Sequence, residues 1–321
     1  MSKEPRTKLK EIPAKKITPI KVIVILGTTA SGKTALGVRL ARELGGEIIS
    51  ADSRQVYRGM DLGTGKDLEE YKNVPYHLID IVSPRADYNL ARWLKSARQT
   101  ISEVTQRGRV PLVVGGSALY LNALIQNYQL SPEPTDLALR QKLNAQTLAK
   151  LVARLERLAP ELARNTDLKN PRRVARALEK VLLASKSAAD SGQPRWRATS
   201  GMTNTPAYQF LILGLTYPRP ELRQRILERL QTRFKAGMAA EVARLHKDGL
   251  SWQKLDDFGL EYRFISRFLR GQLTEAEMRE KLLTASCQFA KRQMTWFKKM
   301  PIAAWVKDYS EAKRLAREFL R

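Results

Sequence analysis

The sequence predicts an α/β fold, in which a parallel sheet forms the core and a helical segment is inserted into it. Two observations favour this class. Short β-branched apolar runs alternate with helical patterns, and a long central stretch has leucine and alanine at helical spacing without a strand signal. With 321 residues and 43% hydrophobic content, the chain is long enough for about two domains and a substantial core.

The predicted strands are short and lack strict alternation of apolar and polar residues. They comprise residues 22–26, 47–51, 76–81, 110–114 and 210–215. Strands of this kind are typical of a parallel sheet that helices cover on both faces. Helical patterns follow at residues 220–246, 260–269 and 274–299, and a short strand or loop at 302–306 and a helix from Ser310 complete the prediction.

Changes in composition divide the chain into three parts. Residues 1–20 are rich in lysine and proline and have no apolar segment behind them, so they predict a basic disordered arm. Residues 132–207 predict a helical insertion that ends in a linker at 198–207, which is rich in Thr, Ser, Gly, Asn and Pro. Residues 21–131 and 208–321 together predict the α/β core.

Cysteine, histidine and hydropathy exclude several classes of protein. A single cysteine, Cys287, excludes an internal disulfide framework and a thiolate metal cluster. His77 and His246 lack the spacing of a zinc site. No apolar run approaches the roughly 18 residues that span a bilayer. We therefore expect no membrane partner, a cytoplasmic location and a monomer.

The charge indicates a polyanionic partner. The chain carries 57 basic and 32 acidic residues, a formal net charge of +25. Nucleic acid is the interpretation that the charge favours, because lysine and arginine gain affinity by releasing counterions from phosphates. A generally basic or thermophilic proteome is an alternative. Attraction to a membrane surface is disfavoured by the lack of a basic amphipathic helix with an aromatic face.

A phosphate-binding loop follows the first predicted strand and opens a helix. It matches G-x-x-x-x-G-K-[ST] and comprises Gly27, Thr28, Thr29, Ala30, Ser31, Gly32, Lys33 and Thr34. The glycines let successive N–H groups face one anion, and the helix N-terminus adds partial positive charge. Lys33 supplies an ammonium group, and Thr34 is a candidate ligand for Mg²⁺. The loop predicts a P-loop NTPase-like core, but a kinase, an ATPase and an enzyme that expels diphosphate all fit it.

A second group of polar residues follows the second strand, in "ISADSRQVYRGMDLGTGK". Asp52 lies at a strand C-terminus, where open α/β sheets bind ligands. It could coordinate magnesium or accept a proton from an attacking amine, or it could simply cap a helix before Ser53. Arg54 and Gln55 offer planar groups suited to base edges or phosphate.

Another candidate hydroxyl follows the fourth strand in "VVGGSALYLNAL". The two glycines allow a ligand to approach closely, and Ser117 comes directly after them. Ser117 as a plain helix N-cap is the alternative interpretation.

Seven segments in order resemble the bacterial tRNA isopentenyltransferase family, the tRNA dimethylallyltransferases. They are "GTTASGKT", "SADSRQVYRGMDLGTGK", "YHLIDIVSP", "VVGGSALYLNAL", "KNPRRVARALE", "LRQRILERLQTRFKAGMAAEVARL" and "AKRQMTWFKK". The resemblance covers nearly all of residues 22–305. The "DSRQVYRGMD" block is highly specific, whereas the phosphate loop is shared with many other proteins.

The resemblance implies a reaction. In that family the loop holds the diphosphate of dimethylallyl diphosphate, and the donor's C1 is attacked by the N6 amine of adenosine 37, beside the anticodon of tRNA. Asp52 corresponds to the family's base, and Ser117 to a threonine near the reacting centre. Lys33, and Thr34 with Mg²⁺, correspond to the groups that hold the leaving diphosphate.

The resemblance also implies binding residues. Positions related to the diphosphate include Arg219 and Arg225, although on a helix face both could simply be exposed. Positions related to the anticodon stem-loop of tRNA are Asp52, Ser53, Arg54, Gln55, Ser117, Arg140, Lys169, Asn170, Pro171, Arg172, Arg173, Phe258, Arg263, Lys291, Arg292, Gln293 and Lys298. Without the resemblance, "KNPRR" would suit a solvated helix start, and the aromatic pair Trp296 and Phe297 would suit core packing.

Four positions depart from the family pattern. Thr28 replaces a usual proline, Ser117 a threonine, Glu261 a glycine and Cys287 an arginine. A carboxylate at Glu261 would repel phosphate near an RNA-facing loop. Two alternatives to the prenyltransferase stay open at this point. A small-molecule or polynucleotide kinase would explain the loop, and a non-catalytic RNA-binding protein would explain the departures.

Overall fold

The computed structural model describes residues 19–130, 136–191 and 208–321. Contacts divide the chain into two compact units, one formed by Met1–Gln129 with Pro206–Arg321 and the other by Leu130–Thr205. The predicted arm lies outside the described residues up to position 18, but Ile20, at its end, already belongs to the first strand. The predicted linker at 198–207 also lies outside them.

The first unit is built on a six-stranded sheet in the order β3-β2-β4-β1-β5-β6, and every pair of neighbouring strands is parallel. The strands are β1 (Ile20–Gly27), β2 (Gly46–Ser50), β3 (Tyr76–His77), β4 (Val110–Gly115), β5 (Tyr208–Leu215) and β6 (Ala304–Trp305). The predicted α/β class with a parallel, P-loop-like sheet is therefore confirmed.

Helices cover this sheet and extend beyond it. In the first unit they are α1 (Lys33–Leu44), α2 (Leu90–Gln106), α3 (Ala118–Ile125), α8 (Arg219–Lys235), α9 (Met238–Lys247), α10 (Trp252–Phe258), α11 (Leu260–Leu269), α12 (Glu275–Phe297) and α13 (Tyr309–Leu320). The second unit contains α4 (Leu137–Asn144), α5 (Leu148–Leu158), α6 (Pro160–Arg164) and α7 (Pro171–Ser191).

The central strand β1 shows why the sheet is buried on both sides. Its side chains point alternately to opposite faces. Val22, Val24 and Leu26 pack into one apolar cluster with helices α2 and α3. Ile23 and Ile25 pack into a second cluster with helices α1 and α13. A strand that needs apolar side chains on both faces reads as a continuous apolar run, as the sequence does here.

Two predicted elements are wrong in extent. The strand predicted at residues 76–81 is only two residues long, because Leu78 (φ 63°) and Asp80 (φ 56°) adopt left-handed backbone that leaves the sheet. The helix predicted at residues 220–246 is two helices, since Gly237 (φ 96°) ends α8 before α9 begins. Glycine alone enters that region without a steric penalty, so it marks the break.

The second unit is helical throughout its described residues and has a core of its own. Leu151 and Leu155 of α5 pack with Val174 and Leu178 of α7, and all four side chains are buried. The spacing of four residues within each pair places both members on one helix face. Within the parts of the chain that the structure covers, no helix has the length and apolarity needed to cross a membrane.

Candidate active site

The phosphate loop joins the end of β1 to the start of α1, and its backbone is bent tightly. Ala30 (φ 61°) and Gly32 (φ 75°) are both left-handed. A Cβ on Gly27 would lie 2.4 Å from the Ser31 hydroxyl, so the first glycine is required for the loop to close. The Lys33 ammonium donates to the Thr28 carbonyl at 3.2 Å and so remains folded over the loop.

Several polar atoms around this loop are buried without a hydrogen-bond partner. They include the hydroxyls of Thr28 and Ser31 in the loop and that of Ser286, which lines the same cavity. Buried polar groups are nearly always paired in folded proteins. Unpaired ones beside a phosphate-binding motif indicate a site that a polar ligand completes.

The resemblance relates Gln293 to RNA contacts, but the structure buries it between two parts of the site. Its Oε1 accepts from the Thr29 N–H at 2.9 Å, and its Nε2 donates to the Gly116 carbonyl at 2.8 Å. The α12 side chain therefore ties the phosphate loop to the end of β4. A Cβ on Gly116 would lie 2.8 Å from that Nε2, which explains the glycine there.

Arginines from α8 reach the phosphate loop from another side. Arg225 Nε donates to the Ala30 carbonyl at 2.9 Å, and its guanidinium stacks 4.3 Å from the Tyr217 ring centroid. Arg229 donates to the Thr29 hydroxyl, and its Nε is buried without a partner. Arg219, by contrast, is exposed and does not line the cavity. Arg229 was missed, although its spacing of four residues from Arg225 on a helix was a signal.

Burial shifts the pKa values of these cations. Desolvation is the main cause that lowers the pKa of Lys33 to about 8; the carboxylate of Asp52 opposes the shift, and the nearby arginines add to it. Burial also lowers the pKa of Arg229 to about 10, with the charge of Arg233 as the next cause. Cations that are concentrated and poorly solvated in this way favour a bound anion.

Asp52 and Ser117 come from neighbouring strand ends and are linked through the backbone between them. Asp52 Oδ1 accepts from the Arg54 N–H at 2.9 Å, and the chain after it forms a turn, so it does not cap a helix. Ser117 precedes α3 but makes no side-chain cap. Its hydroxyl instead accepts from the Ser53 N–H at 3.0 Å. The capping interpretation of Asp52 is therefore wrong, whereas Ser117 occupies the N-cap position of α3 without a side-chain capping bond.

The next two residues of this segment are held by protein groups. Arg54 Nη2 donates to the Asp257 carbonyl at 2.9 Å. Gln55 is buried, and its amide accepts from the Ser50 hydroxyl at 2.8 Å and donates to the Gly65 carbonyl at 2.9 Å. Gln55 thus uses its planar amide for contacts within the protein, although its residue type alone suited a base edge or phosphate.

These elements enclose one cavity of about 690 Å³, within the usual size range of ligand sites. Its walls combine the phosphate loop, the Asp52 segment, the end of β4 and helices α8, α11 and α12. The predicted residues that line it are Thr29, Ala30, Ser31, Gly32, Lys33, Thr34, Asp52, Ser53, Arg54, Gln55, Ser117, Arg225, Phe258 and Gln293. Lining residues that the sequence did not single out include Thr64, Asp67, Glu70, Tyr71, Arg229 and Arg233.

The glycine-rich loop after Asp52 is fixed by two buried charges. Lys66 is 1% exposed, and its ammonium donates to Asp61 at 2.6 Å, to the Tyr57 carbonyl at 2.8 Å and to Asp80. The carboxylate of Glu241 accepts from the N–H groups of residues 61, 62 and 63 and from the hydroxyl of Tyr262. The "GMDLGTGK" segment is thus held rigidly where it lines the cavity.

Of the residues expected to contact RNA, a group in the second unit forms the start of α7. Lys169, Pro171, Arg172 and Arg173 are exposed there, and Asn170 accepts from the Arg173 N–H. Arg140 of α4 donates to the buried carboxylate of Glu179 at 2.8 Å, so its guanidinium is held in place.

The expected contacts in the first unit differ in exposure. Lys291, Arg292 and Lys298 are exposed, whereas Phe258 is buried with its ring edge against Tyr57, 4.8 Å between centroids. Arg263 Nε donates to the Asp256 carbonyl at 3.1 Å. The aromatic residues Trp296 and Phe297 differ in burial, because Phe297 is fully buried and Trp296 is 44% exposed. The core interpretation thus holds for Phe297 alone.

Three departures from the family pattern lie in the cavity region, and Ser117, described above, is one of them. Glu261 lines the cavity, and its charge favours the charged form of Arg229. Thr28 is fully buried in the phosphate loop. Cys287 is half-buried on α12, 3.9 Å from Arg223 Nη1.

Oxygen groups at the cavity fit a magnesium ion that arrives with phosphate. The Thr34 hydroxyl and the Asp52 carboxylate belong to residues that line the same cavity. Among the described residues no three His, Cys, Asp or Glu side chains are grouped to hold a metal. Mg²⁺ commonly takes few protein ligands and completes its shell with substrate phosphates and water, so this set suits it when diphosphate is bound.

Comparison with known proteins assigns the chain to a family. The family model described as IPP transferase matches residues 55–300, and the isopentenyl transferase model matches residues 20–74. The tRNA dimethylallyltransferase 1 of Geotalea uraniireducens is 42% identical over 94% of this chain and 97% of its own length. That of Syntrophus aciditrophicus is 45% identical over 87% of this chain and 90% of its own.

Solved structures give the same result. The full-length tRNA isopentenylpyrophosphate transferase of Bacillus halodurans is 34% identical, with a TM-score of 0.66 over 94% of this chain and 95% of that one. A eukaryotic dimethylallyltransferase, solved acting on tRNA, is 26% identical, with a TM-score of 0.71 over 88% of this chain and 70% of that one. With the sheet order, the phosphate loop and the Asp52 segment, these matches show that the chain belongs to the IPP transferase family.

Proposed function

We propose that this chain transfers a dimethylallyl group from dimethylallyl diphosphate to the N6 amine of adenosine 37 of tRNA, with release of diphosphate. The observation that carries the proposal is that a carboxylate, Asp52, and a phosphate-binding loop with its cations line one cavity. A kinase can also place an aspartate beside bound phosphate, and membership of the IPP transferase family favours prenyl transfer over phosphoryl transfer.

The proposed reaction forms one bond and breaks another. The N6 nitrogen attacks C1 of the donor, the C1–O bond breaks, and diphosphate leaves with the bonding electrons. The proton on N6 passes to the carboxylate of Asp52, which acts as general base. The Ser117 hydroxyl, held against the Ser53 N–H, lies at the same wall and can orient the amine.

The leaving group needs cations because negative charge accumulates on it as the C1–O bond breaks. Lys33, Arg225 and the N–H groups of the phosphate loop supply fixed donors for that charge. When bound, Mg²⁺ would neutralise phosphate oxygens, with Thr34 as its protein ligand. Because these donors are preorganised, they stabilise the transition state without reorganising during the step.

The RNA must present its base outside the stack to reach this cavity, which costs a few kcal/mol. We propose that basic side chains of α4, around the start of α7 and at the C-terminal end of α12 offset that cost through phosphate contacts. Those that carry this part of the proposal are Arg140, Lys169, Arg172, Arg173, Lys291, Arg292 and Lys298. A cytoplasmic location and a monomeric state are part of the same proposal.

One experiment tests the function. The protein is incubated with Mg²⁺, dimethylallyl diphosphate and an anticodon stem-loop that carries three consecutive adenosines, and the RNA is analysed by mass spectrometry. We expect the mass to rise by one dimethylallyl group in place of one hydrogen. A parallel incubation with ATP tests the kinase alternative, and phosphorylated RNA without a prenylated product would overturn the proposal.

A further inference from the structure

Helix α8 brings a third arginine to the cavity wall. Arg225, Arg229 and Arg233 follow one another at intervals of four residues and share one helix face. The first two reach the phosphate loop through Ala30 and Thr29. The third lies against the glycine-rich loop that forms another part of the wall, and it lines the same cavity.

Arg233 is buried yet has an exposed counter-ion. Its side chain is 6% exposed, whereas that of Asp67 is 47% exposed. Nη2 donates to both carboxylate oxygens of Asp67, at 3.0 and 3.3 Å. A guanidinium has five N–H groups in a fixed plane. An ion pair made through Nη2 orients that plane and leaves Nε and Nη1 for a second anion.

The place of Arg233 depends on a glycine. Gly65 has φ +65°, and a Cβ there would lie 2.1 Å from Arg233 Nη2 and 2.6 Å from its Cζ. Any side chain at position 65 would therefore displace the guanidinium. Lys66, next in the chain, is anchored by its buried ion pairs, so the loop cannot readily move aside.

Two cations of this wall, Arg229 and Arg233, repel each other although carboxylates lie near both: Asp67 pairs with Arg233, and the charge of Glu261 favours the charged form of Arg229. The Nε of Arg229 is nevertheless buried without a hydrogen-bond partner. Two neighbouring guanidinium groups in a poorly solvated wall attract a further anion. A ligand with several anionic oxygens satisfies both guanidinium groups.

We propose that Arg233 is a further binding residue for the diphosphate of the donor, admitted to the cavity wall by Gly65 and oriented by Asp67. The inference rests on the proposed function, because that function supplies the diphosphate. Asp67 is a positioning residue, since it acts on the ligand only through Arg233.

The first test measures binding of inorganic diphosphate with Mg²⁺ by calorimetry. We expect Arg233→Met, which retains much of the side-chain volume, to weaken affinity about ten-fold or more, as loss of a hydrogen bond between charged groups does. Arg233→Lys should recover part of the loss, and Asp67→Asn should weaken affinity less than Arg233→Met. Lys235→Ala is the matched control, because it removes the same charge from an exposed position of α8.

A double-mutant cycle tests the role of the glycine. Gly65→Ala should weaken diphosphate binding by displacing Arg233, and the double variant with Arg233→Met should be no weaker than Arg233→Met alone. Additive losses would overturn the proposed role of Gly65. Equal diphosphate affinity in Arg233→Met, Lys235→Ala and the unaltered protein would overturn the role of Arg233.

Two further measurements distinguish loss of diphosphate binding from misfolding of a variant and from failure of the proposed function. Thermal unfolding without ligand reports whether each variant folds, and Arg233→Lys serves if Arg233→Met does not fold. Failure of the unaltered protein to prenylate RNA, with diphosphate affinity still dependent on Arg233, would overturn the proposed function but support the anion-binding role. In Arg233→Lys, KM for the donor should rise while affinity for the stem-loop stays constant.

Discussion

Replacement of Asp52 by asparagine is the sharpest test of the proposed chemistry. In the protein, Asp52 Oδ1 accepts the Arg54 N–H at 2.9 Å. The side-chain oxygen of asparagine can accept the same hydrogen bond, so the turn that leads to Ser53 and Ser117 should be preserved. The substitution therefore removes the proton acceptor and its charge while it retains the local structure.

The expected magnitude follows from the role of a general base. A positioned base contributes about 10²- to 10⁴-fold to the rate, or about 3 to 5 kcal/mol of activation free energy. We expect Asp52→Asn to lose that much of its single-turnover rate. Affinity for the anticodon stem-loop should change by less than about three-fold, because no RNA-binding cation is removed.

The assay is single-turnover prenylation of a stem-loop followed by mass spectrometry, with RNA affinity measured separately by fluorescence anisotropy. Asp87→Asn is the control, since Asp87 is an exposed carboxylate paired with Lys254 outside the cavity. A rate for Asp52→Asn above about one tenth of the control would refute the base assignment. A loss of RNA affinity as large as the loss of rate would instead indicate that Asp52 acts in binding.

Further outcomes follow from the other contacts. Burial lowers the pKa of Lys33 to about 8, so the contribution of Lys33 to diphosphate affinity should be lost as pH rises through that value. The Lys33→Arg variant stays charged. Calorimetry should therefore show that the diphosphate affinity of Lys33→Arg, divided by that of the unaltered protein, increases with pH. Gln293→Leu leaves the Thr29 N–H and the Gly116 carbonyl buried and unpaired, so chemical denaturation should show a loss of about 2 kcal/mol or more of unfolding free energy. Thr34→Val should raise the Mg²⁺ concentration needed for half-maximal rate, and an unchanged requirement would contradict its role as a ligand. If about five RNA phosphates are contacted, stem-loop affinity should fall about a hundred-fold between 50 and 200 mM salt, and a flat salt dependence would contradict the basic contact surface.

The parts of the site that could be predicted from sequence are those whose residues lie close to one another in the chain. The phosphate loop needs glycine at fixed positions beside Lys33, and Asp52 follows a strand directly, so local spacing reveals both. The apolar run of β1 likewise predicts a strand buried on both faces, as it is found. In each case the physical requirement lies within a few residues of sequence.

Other parts depend on contacts between distant residues. Gln55 looked like a group for RNA, yet the Ser50 hydroxyl and the Gly65 carbonyl engage its amide. The strand predicted at 76–81 ends at His77 because the backbone turns left-handed at Leu78, which apolar side chains do not signal. Propensity describes a residue's own preference, and tertiary contacts can override it.

By itself, the sequence determined the α/β class, the phosphate loop, the strand-end carboxylate and the basic charge, because each depends on residue type and short spacing. Only the tertiary structure decided that Gln293 joins two loops more than 170 residues away from it, and that Gly65 leaves room for Arg233. Both arrangements depend on distances between segments that are far apart in the chain and meet only in the folded protein. The residue pattern of one segment does not specify its distance from a side chain of another segment.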